Sequence, residues 1–329
     1  MHEISVKHTV VIIGASGYIG RHLVARLKCL PRLQVRAFCR SRQQGLDILG
    51  SGINLEIIEG SLDYLESLRN LIEPGCTVIN LAYLWDVGED RNIAAIRNLL
   101  EACRAANVRR LIHCSTADVA GRTRDNPITE NSACQPVSNY SIVKHKIERA
   151  ILNAAHDGFD IAILRPTAVF GPGGRNLKKL ADDLVGGNRF LNYLKSCLFG
   201  NRRMNLVHVA NIVAAIAFLI DRQENIDGEV FIVSDDDVMT NNFAEVECTL
   251  MHLLNCPDYV LPRIPLPQWA FGILLRLLGR NNINPNCNYA QNKLQNLGFK
   301  RPVIFEDGLR EYANWYRSRY LVKLGSETE

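Results

Sequence analysis

Short apolar runs alternate with amphipathic stretches of helix length through the first half of the chain. The apolar runs predict strands, at 9–13, 34–39, 54–58, 77–81, 110–114 and 160–164. The stretches between them predict helices, at 19–30, 62–72, 91–106 and 140–155. Near-continuous apolar strands that alternate with helices are typical of a parallel sheet covered on both faces. The pattern therefore predicts an α/β fold with a doubly wound parallel sheet.

The alternation weakens after Pro166. Residues 171–174 predict a loop, 175–200 are mixed polar and helical, and 211–220 predict a helix. Residues 230–233 predict a strand that returns to the main sheet. Beyond about residue 240 the chain reads as helical and is interrupted by prolines. We therefore expect a smaller, mixed but mostly helical C-terminal domain beside the sheet.

Composition places the chain among globular proteins. It has 329 residues, of which 47% are hydrophobic and 22% charged, and a formal charge of +4. The basic residues are scattered, which argues against nucleic acid as a partner. No N-terminal signal sequence and no membrane-spanning run is visible. Ten cysteines without metal or disulfide spacing favour a reducing compartment, so we expect a cytoplasmic protein, and the histidines form no metal motif.

A strand, a tight glycine turn and the start of a helix follow one another near the N-terminus. The three glycines have the spacing G-x-x-G-x-x-G. Glycine allows the backbone angles of such a turn and leaves room for a pyrophosphate, which the free amides of the helix start would face. The context of strand, turn and helix predicts an NAD(P)(H) site. Its residues are Gly14, Ser16, Gly17, Tyr18, Ile19 and Gly20. The alternative is a turn that serves the fold alone.

The end of the second strand bears on the choice of cofactor. An acid there would bind the ribose 2′-hydroxyl, whereas an arginine accommodates a 2′-phosphate. The sequence has Arg40 and Ser41 followed by Arg42, and no acid. This favours NADP(H), with NAD(H) as a possibility. The alternative is that Arg40 is a solvated surface residue.

Tyr140 and Lys144 lie four positions apart at the start of a predicted helix and so share one of its faces. A nearby ammonium should lower the pKa of the phenol and allow proton exchange with a substrate oxygen while hydride is transferred. Thr116 follows the fifth strand, where it can orient the reacting oxygen, and Ser115 is the competing candidate. We expect Thr116, Tyr140 and Lys144 to be catalytic.

The order of GASGYIG, VINLAY, RLIHCSTADVAG, YSIVK, ILRPTAVFGPGG and LVHVANIVAAI resembles the extended short-chain dehydrogenases/reductases, the family of UDP-galactose 4-epimerase-like enzymes. The resemblance covers nearly the whole chain and implies a Rossmann fold. It also implies further cofactor contacts, from Ser61, Leu62, Leu81, Ala82, Tyr83, Asn92, Pro166 and Val169, besides Tyr140 and Lys144. From the change in pattern after Pro166 we expect a dinucleotide-binding domain over 1–165 plus about 201–238, and a substrate-binding domain over 166–200 and 239–329.

Two departures from the family pattern bear on the ligands. Many relatives have Gly-Asp after the third strand, where this chain has Gly60-Ser61, so the contact with the adenine of the cofactor is altered. The family's diphosphate-binding arginine aligns with Met204, and Arg203 stands one residue earlier. Arg203 is therefore a candidate substrate contact, together with Thr116.

Three functions remain open from the sequence. The first is keto-reduction, epimerisation or dehydration of a nucleotide-activated sugar, as in polysaccharide biosynthesis. The second is oxidation or reduction of a hydrophobic alcohol or ketone of the steroid or flavonoid type, which the apolar stretch 267–279 supports. That stretch predicts an amphipathic helix that could also pack in the core, contact a subunit or touch a membrane surface. The third is a cofactor-binding protein without turnover. A homodimer is implied only by the resemblance.

Overall fold

A seven-stranded parallel sheet forms the centre of the fold. The computed structural model describes residues 7–156, 158–264 and 284–321, together with positions 273, 276 and 277. The strand order is β3-β2-β1-β4-β5-β6-β9, and the doubly wound sheet predicted from the sequence is confirmed. The strands are β1 (His8–Ile13), β2 (Leu33–Cys39), β3 (Leu55–Glu59), β4 (Thr77–Asn80), β5 (Arg110–Cys114), β6 (Asp160–Pro166), β7 (Ala168–Phe170), β8 (Leu206–His208) and β9 (Glu229–Val233).

Helices follow most of the strands. They are α1 (Tyr18–Leu27), α2 (Arg42–Leu49), α3 (Leu65–Leu71), α4 (Gly88–Ala105), α5 (Asn139–Asn153), α6 (Lys178–Gly186), α7 (Arg189–Phe199), α8 (Val209–Asp221), α9 (Phe243–Leu253), α10 (Asn292–Asn296) and α11 (Phe305–Tyr316). Single turns of 3-10 helix occupy Ala117–Ala120 and Ala154–His156, and a π-helical turn occupies Arg317–Leu321. The returning strand β9 lies beside β6, as expected. The helix α2 and the two-stranded parallel sheet of β7 and β8 were not expected.

Hydrophobic cores formed by the described residues hold this part of the chain together. The first packs the sheet against its helices and includes Val11, Leu99, Leu111 and Ile147. All of these side chains are essentially excluded from water, and burial of one such side chain contributes about 1.5–3 kcal/mol. The second core includes Phe170 and Tyr312, together with residues of α9.

The described chain divides into two compact units. The first consists of 1–119, 139–165 and 212–231, and the second of 120–138, 166–211 and 232–329. We expected 120–138, 201–211 and 232–238 in the dinucleotide-binding domain. In the structure these segments cluster with the second unit. The roles expected for the two domains stay predictions.

The helix predicted at 267–279 lies mostly beyond the residues that the structure describes; within it, positions 273, 276 and 277 are exposed. None of the helices in the described ranges is long and apolar enough to cross a lipid bilayer. The same ranges contain no group of three or more His, Cys, Asp or Glu side chains placed to hold a metal ion.

Candidate active site

The glycine turn between β1 and α1 has no room for side chains. Gly14 has φ of +80°, and a Cβ there would lie 3.0 Å from the backbone nitrogen of Ala82 and from the carbonyl carbon of Leu81. A Cβ at Gly20 would lie 2.2 Å from the carbonyl oxygen of Gly14. The turn therefore packs directly on the end of β4. Ser16 and Gly17 are exposed, Tyr18 and Ile19 open α1, and the first turn of this helix has no acidic residue. The helix start thus presents backbone amides without a competing carboxylate.

Arg40 is exposed at the end of β2, where it makes no hydrogen bond or ion pair with other described residues. Its neighbour Ser41 caps α2, because its Oγ accepts a hydrogen bond from the amide of Gln44 at 3.4 Å. A carboxylate from β3 also lies next to the start of α2. Glu59 Oε2 accepts a hydrogen bond from the amide of Arg42 at 2.9 Å. Sequence reasoning missed Glu59 because it searched for an acid on β2 alone, although β2 and β3 are paired in register at Cys39 and Glu59.

Ser61 and Leu62 follow β3. The hydroxyl of Ser61 donates to Asp63 Oδ2 at 3.0 Å, and Arg91 pairs with the same carboxylate at 2.7 Å. The hydrogen bond from Arg91 is the main reason that the pKa of Asp63 falls to about 2. Leu62 is buried, and its carbonyl accepts a hydrogen bond from Asn98 at 3.0 Å. Many relatives have an aspartate at the position of Ser61. In this chain an aspartate, Asp63, lies two residues later and forms an ion pair with Arg91.

Tyr140, Thr116 and Lys144 come together where β5 ends and α5 begins. The hydroxyls of Thr116 and Tyr140 are hydrogen-bonded to each other. Lys144 is buried, and its Nζ donates to the carbonyl oxygen of Cys114 at 2.6 Å. The competing candidate, Ser115, is buried, and its hydroxyl has no hydrogen-bond partner among the described residues. The geometry thus favours Thr116 over Ser115 as the partner of the tyrosine.

The acid–base state of Tyr140 differs from the sequence expectation. Burial raises the pKa of the phenol, and the hydrogen bond from Thr116 opposes this only in part. Burial also lowers the pKa of Lys144. The expectation that a nearby ammonium lowers the tyrosine pKa is wrong for this structure, because removal of the phenol from water disfavours its charged form.

Two further aromatic side chains surround Tyr140. The ring of Trp85 stacks on it, with centroids 5.3 Å apart and planes 6° apart. The ring of Tyr83 meets it edge to face at 5.0 Å. Trp85 is still 65% exposed, so its outer face is open to solvent. Sequence reasoning assigned no role to Trp85.

Asn92, on α4, holds the loop that carries Trp85. Its Oδ1 accepts from the amide of Leu84 at 3.0 Å, and its Nδ2 donates to the carbonyls of Leu84 and Gly88, both at 2.9 Å. The side chain is buried. Because its amide already bonds the loop on both sides, Asn92 positions the loop in this structure.

The remaining candidates belong to the second compact unit. Pro166 ends β6, and Val169 lies in β7, where its carbonyl accepts from Asn176 Nδ2 at 2.8 Å. The guanidinium of Arg203 donates to the carbonyls of Val238 at 2.9 Å and of Met239 at 3.4 Å. Arg203 therefore stabilises a turn of its own unit.

The parallel sheet, its glycine turn and the Thr–Tyr–Lys group define an NAD(P)-dependent enzyme of the extended short-chain dehydrogenase/reductase type. The family model described as "NAD dependent epimerase/dehydratase family" matches residues 10–234. This chain belongs to that family.

Individual relatives differ in what they act on. A UDP-glucose 4-epimerase of Vibrio cholerae is 25% identical and covers 93% of this chain and 94% of its own length. A 4-hydroxy-2-methyl-3-oxo-4-farnesyl-3,4-dihydroquinoline-1-oxide ketoreductase of Stigmatella aurantiaca is 26% identical, over 68% of this chain and 67% of its own. Among solved structures, the dTDP-glucose 4,6-dehydratase of Bacillus anthracis in complex with NAD has a TM-score of 0.74 at 18% identity, covering 95% of this chain and 98% of that chain.

Proposed function

We propose that this enzyme is an NAD(P)(H)-dependent oxidoreductase or epimerase that acts on a nucleotide-activated sugar, with Tyr140 as the acid–base group. The observation that carries the proposal is the hydrogen-bonded pair of Thr116 and Tyr140 at the carboxyl end of β5. In open α/β sheets, ligands bind outside the carboxyl ends of the strands. The glycine turn follows β1 and Tyr83 follows β4; β4 is the neighbour of β5 in the sheet, and β1 is the next strand beyond it.

The glycine turn fits a dinucleotide. Gly14 and Gly20 let the turn pack closely on the surrounding backbone, and the amides at the start of α1 suit a pyrophosphate. The turn from Gly14 to Gly20 would hold the pyrophosphate, and Arg40 with Ser41 the adenosine ribose. When bound, NAD(P)(H) supplies or accepts the hydride.

Tyr140 supplies or removes the proton at the substrate oxygen. Since burial raises the pKa of the phenol, its hydroxyl is protonated at neutral pH and is ready to donate to a carbonyl. Thr116 fixes the direction of that hydroxyl. Lys144, held by the carbonyl of Cys114, places a positive charge on the same helix one turn away, where it stabilises a developing phenolate. These contacts support reduction of a ketone more directly than removal of a proton from an alcohol.

For the cofactor we propose a preference for NADP(H), supported by the exposed guanidinium of Arg40, which makes no ion pair with any of the described residues. A charge-assisted contact to a 2′-phosphate contributes about 1.5–3 kcal/mol, so Arg40→Ala should weaken NADPH binding roughly 10- to 100-fold. NADH affinity should change little. The measurement is the dissociation constant of each cofactor by fluorescence titration, with Glu59→Gln as the matched variant that removes the nearby negative charge. Equal losses for NADPH and NADH in Arg40→Ala would refute the preference.

The second candidate is a reductase or dehydrogenase of a hydrophobic alcohol or ketone. Two observations favour it. The aromatic rings of Tyr83 and Trp85 border the reactive hydroxyl, and Arg203 is engaged by Val238 and Met239. The farnesylated ketone named for the Stigmatella relative belongs to this chemical class.

Substrate binding separates the two candidates. The enzyme, saturated with NADPH or NAD, is heated with UDP-, dTDP-, GDP- and CDP-sugars and separately with steroid and prenylated ketones. The proposal predicts a rise of the unfolding temperature with at least one sugar nucleotide, and turnover of that compound at 340 nm or by product analysis. Stabilisation and turnover with the apolar ketones alone would replace it with the second candidate.

A further inference from the structure

A buried histidine, His113, lies in the sheet and has no role in the chemistry proposed above. It belongs to β5, and its side chain is excluded from water. It pairs in register with Asn80 on β4 and with Ile163 on β6, so the three side chains share one face of the sheet. Burial, and then the ammonium of Lys144, hold the pKa of His113 well below its usual range, so the ring is neutral. A neutral imidazole has one N–H group and one nitrogen that accepts.

The side chain of Asn80 shows which nitrogen of His113 accepts. A backbone amide can only donate, and the amide of Ala82 donates to Asn80 Oδ1 at 3.1 Å. The other end of the same side chain, Nδ2, is therefore the donor to His113 Nδ1, at 3.2 Å. The ring proton is then on Nε2. The histidine thus holds the side-chain amide of Asn80 in the orientation that binds Ala82.

The backbone held by this pair touches both parts of the candidate active site. A Cβ at Gly14 would lie 3.0 Å from the nitrogen of Ala82, so the glycine turn packs on the same peptide group. The next residue, Tyr83, meets the ring of Tyr140 edge to face at 5.0 Å. A rotation of the peptide at Ala82 would therefore displace Tyr83 relative to Tyr140.

The stability of the core does not account for the pair. Its neighbours on this face of the sheet are apolar and include Val78, Leu111 and Ile163. A buried hydrogen-bonded pair is close to neutral for stability when it is compared with two apolar side chains of the same shape. The Nε2 N–H group, moreover, has no hydrogen-bond partner among the described residues. What the pair adds over apolar side chains is direction, because a hydrogen bond fixes the orientation of its groups.

We propose that His113 is a positioning residue of the active site: through Asn80 it fixes the peptide at Ala82, and thereby the placement of Tyr83 against Tyr140. It acts through these residues and not on the substrate itself. The inference rests on the proposed role of Tyr140 in proton transfer. A misplacement of about 1 Å by a substitution outside the site can lower the rate about 100-fold. Loss of the acceptor at His113 should therefore lower kcat, with a smaller effect on KM.

Substitutions that remove or keep the acceptor test the inference. The values of kcat and KM are measured on the sugar nucleotide or ketone that wild type converts in the screen described above. His113→Leu removes the acceptor and should lower kcat at least about tenfold, whereas KM should change less than about threefold. His113→Asn keeps an oxygen in place of Nδ1 and should recover kcat to within about threefold of wild type. The matched control is Ile112→Val, on the opposite face of the same strand, and it should leave kcat unchanged.

The double variant Asn80→Leu/His113→Leu separates positioning from stability. Because it removes both polar groups, its urea midpoint should lie closer to that of wild type than the midpoint of His113→Leu does. Its kcat should remain at least about tenfold low, because the amide of Ala82 has lost its acceptor. Hydrogen exchange at this amide should be faster than wild type in both leucine variants and slow again in His113→Asn.

Tyr140→Phe, measured beside these variants, separates the inference from the proposed function. Turnover by Tyr140→Phe at the wild-type rate would refute the proposed proton transfer and, with it, this inference. With Tyr140→Phe slow, a wild-type kcat in His113→Leu or in the double variant would overturn the role of His113 alone. The same conclusion would follow from a kcat in His113→Asn as low as in His113→Leu, from unchanged exchange at Ala82, or from a kcat that simply follows the urea midpoint across all the variants.

Discussion

Asn92 should stabilise the loop at 84–88 by a free energy that can be worked out from its contacts. Its buried amide makes three hydrogen bonds with the backbone of Leu84 and Gly88. A hydrogen bond of this kind contributes about 1 kcal/mol net, so Asn92→Ala should lower the free energy of unfolding by about 3 kcal/mol. Because Trp85 is carried by the same loop, its stacking on Tyr140 should loosen as well.

Asn98→Ala is the matched control on the same helix. Its half-buried amide donates to the carbonyls of Leu62 and Asp63, at 3.0 and 3.2 Å, so its loss should cost only about 1–2 kcal/mol and leave Trp85 in place. Urea denaturation gives the two free energies, and hydrogen exchange reports on the Leu84 amide, which loses its acceptor only in Asn92→Ala. The reasoning is refuted if Asn92→Ala destabilises by less than Asn98→Ala, or if Leu84 exchanges equally slowly in both variants.

Three further outcomes are expected. Lys144→Met should lower kcat by about 10²–10⁴-fold while the urea midpoint changes little, since it removes a desolvated ammonium; unchanged steady-state turnover would contradict this. Trp85→Ala should reduce kcat/KM roughly tenfold and leave cofactor affinity nearly unaltered, because the Trp85 ring packs on Tyr140 and Tyr83 and its removal leaves both of these side chains in place; a matching loss of cofactor affinity would argue for a different role. Burial raises the pKa of the Asp236 carboxyl from 3.8 in the unfolded chain to about 6 in the folded protein. Protonation of this carboxyl therefore stabilises the folded state below about pH 4, and this stabilisation is lost as the pH rises through 6. The stability of wild type relative to Asp236→Asn, from urea melts, should therefore fall by about 2–3 kcal/mol between these pH values, and a constant difference would be inconsistent with the raised pKa.

The sheet could be read from the sequence because its strands are almost entirely apolar. The predicted strand at 110–114 coincides with β5, and the other predicted strands of the sheet deviate by at most two residues at either end. By contrast α2 was missed. Its sequence, RQQGLDIL, is mostly polar, and only Gly45 and Leu49 of its residues are buried, so it lacks a clear apolar stripe. Segment 120–138 clusters with the second compact unit, which the sequence did not suggest, because its partners, such as Asn288 for Ile128, are distant in sequence.

The same holds for the candidate site. Features formed by residues close in sequence could be predicted, whereas contacts between residues distant in sequence could not. The glycine turn and the spacing of Tyr140 and Lys144 are local features, and the structure places the turn after β1 and both side chains on α5. Their expected roles stay predictions. The stacking of Trp85 on Tyr140 joins a loop to a helix 55 positions later, which no spacing rule reveals. The tyrosine pKa was misjudged for a related reason: the sequence shows the charged neighbour, whereas burial depends on tertiary packing.

The central claim is that Tyr140 transfers the proton during hydride transfer. The most direct measurement is the single-turnover rate of Tyr140→Phe with the first substrate that wild type converts, beside the dissociation constant of the cofactor for both proteins. Tyr140→Phe should lower this rate by about 10²–10⁴-fold and leave the cofactor affinity unchanged. A rate within a few-fold of wild type, with the same cofactor affinity, would contradict it.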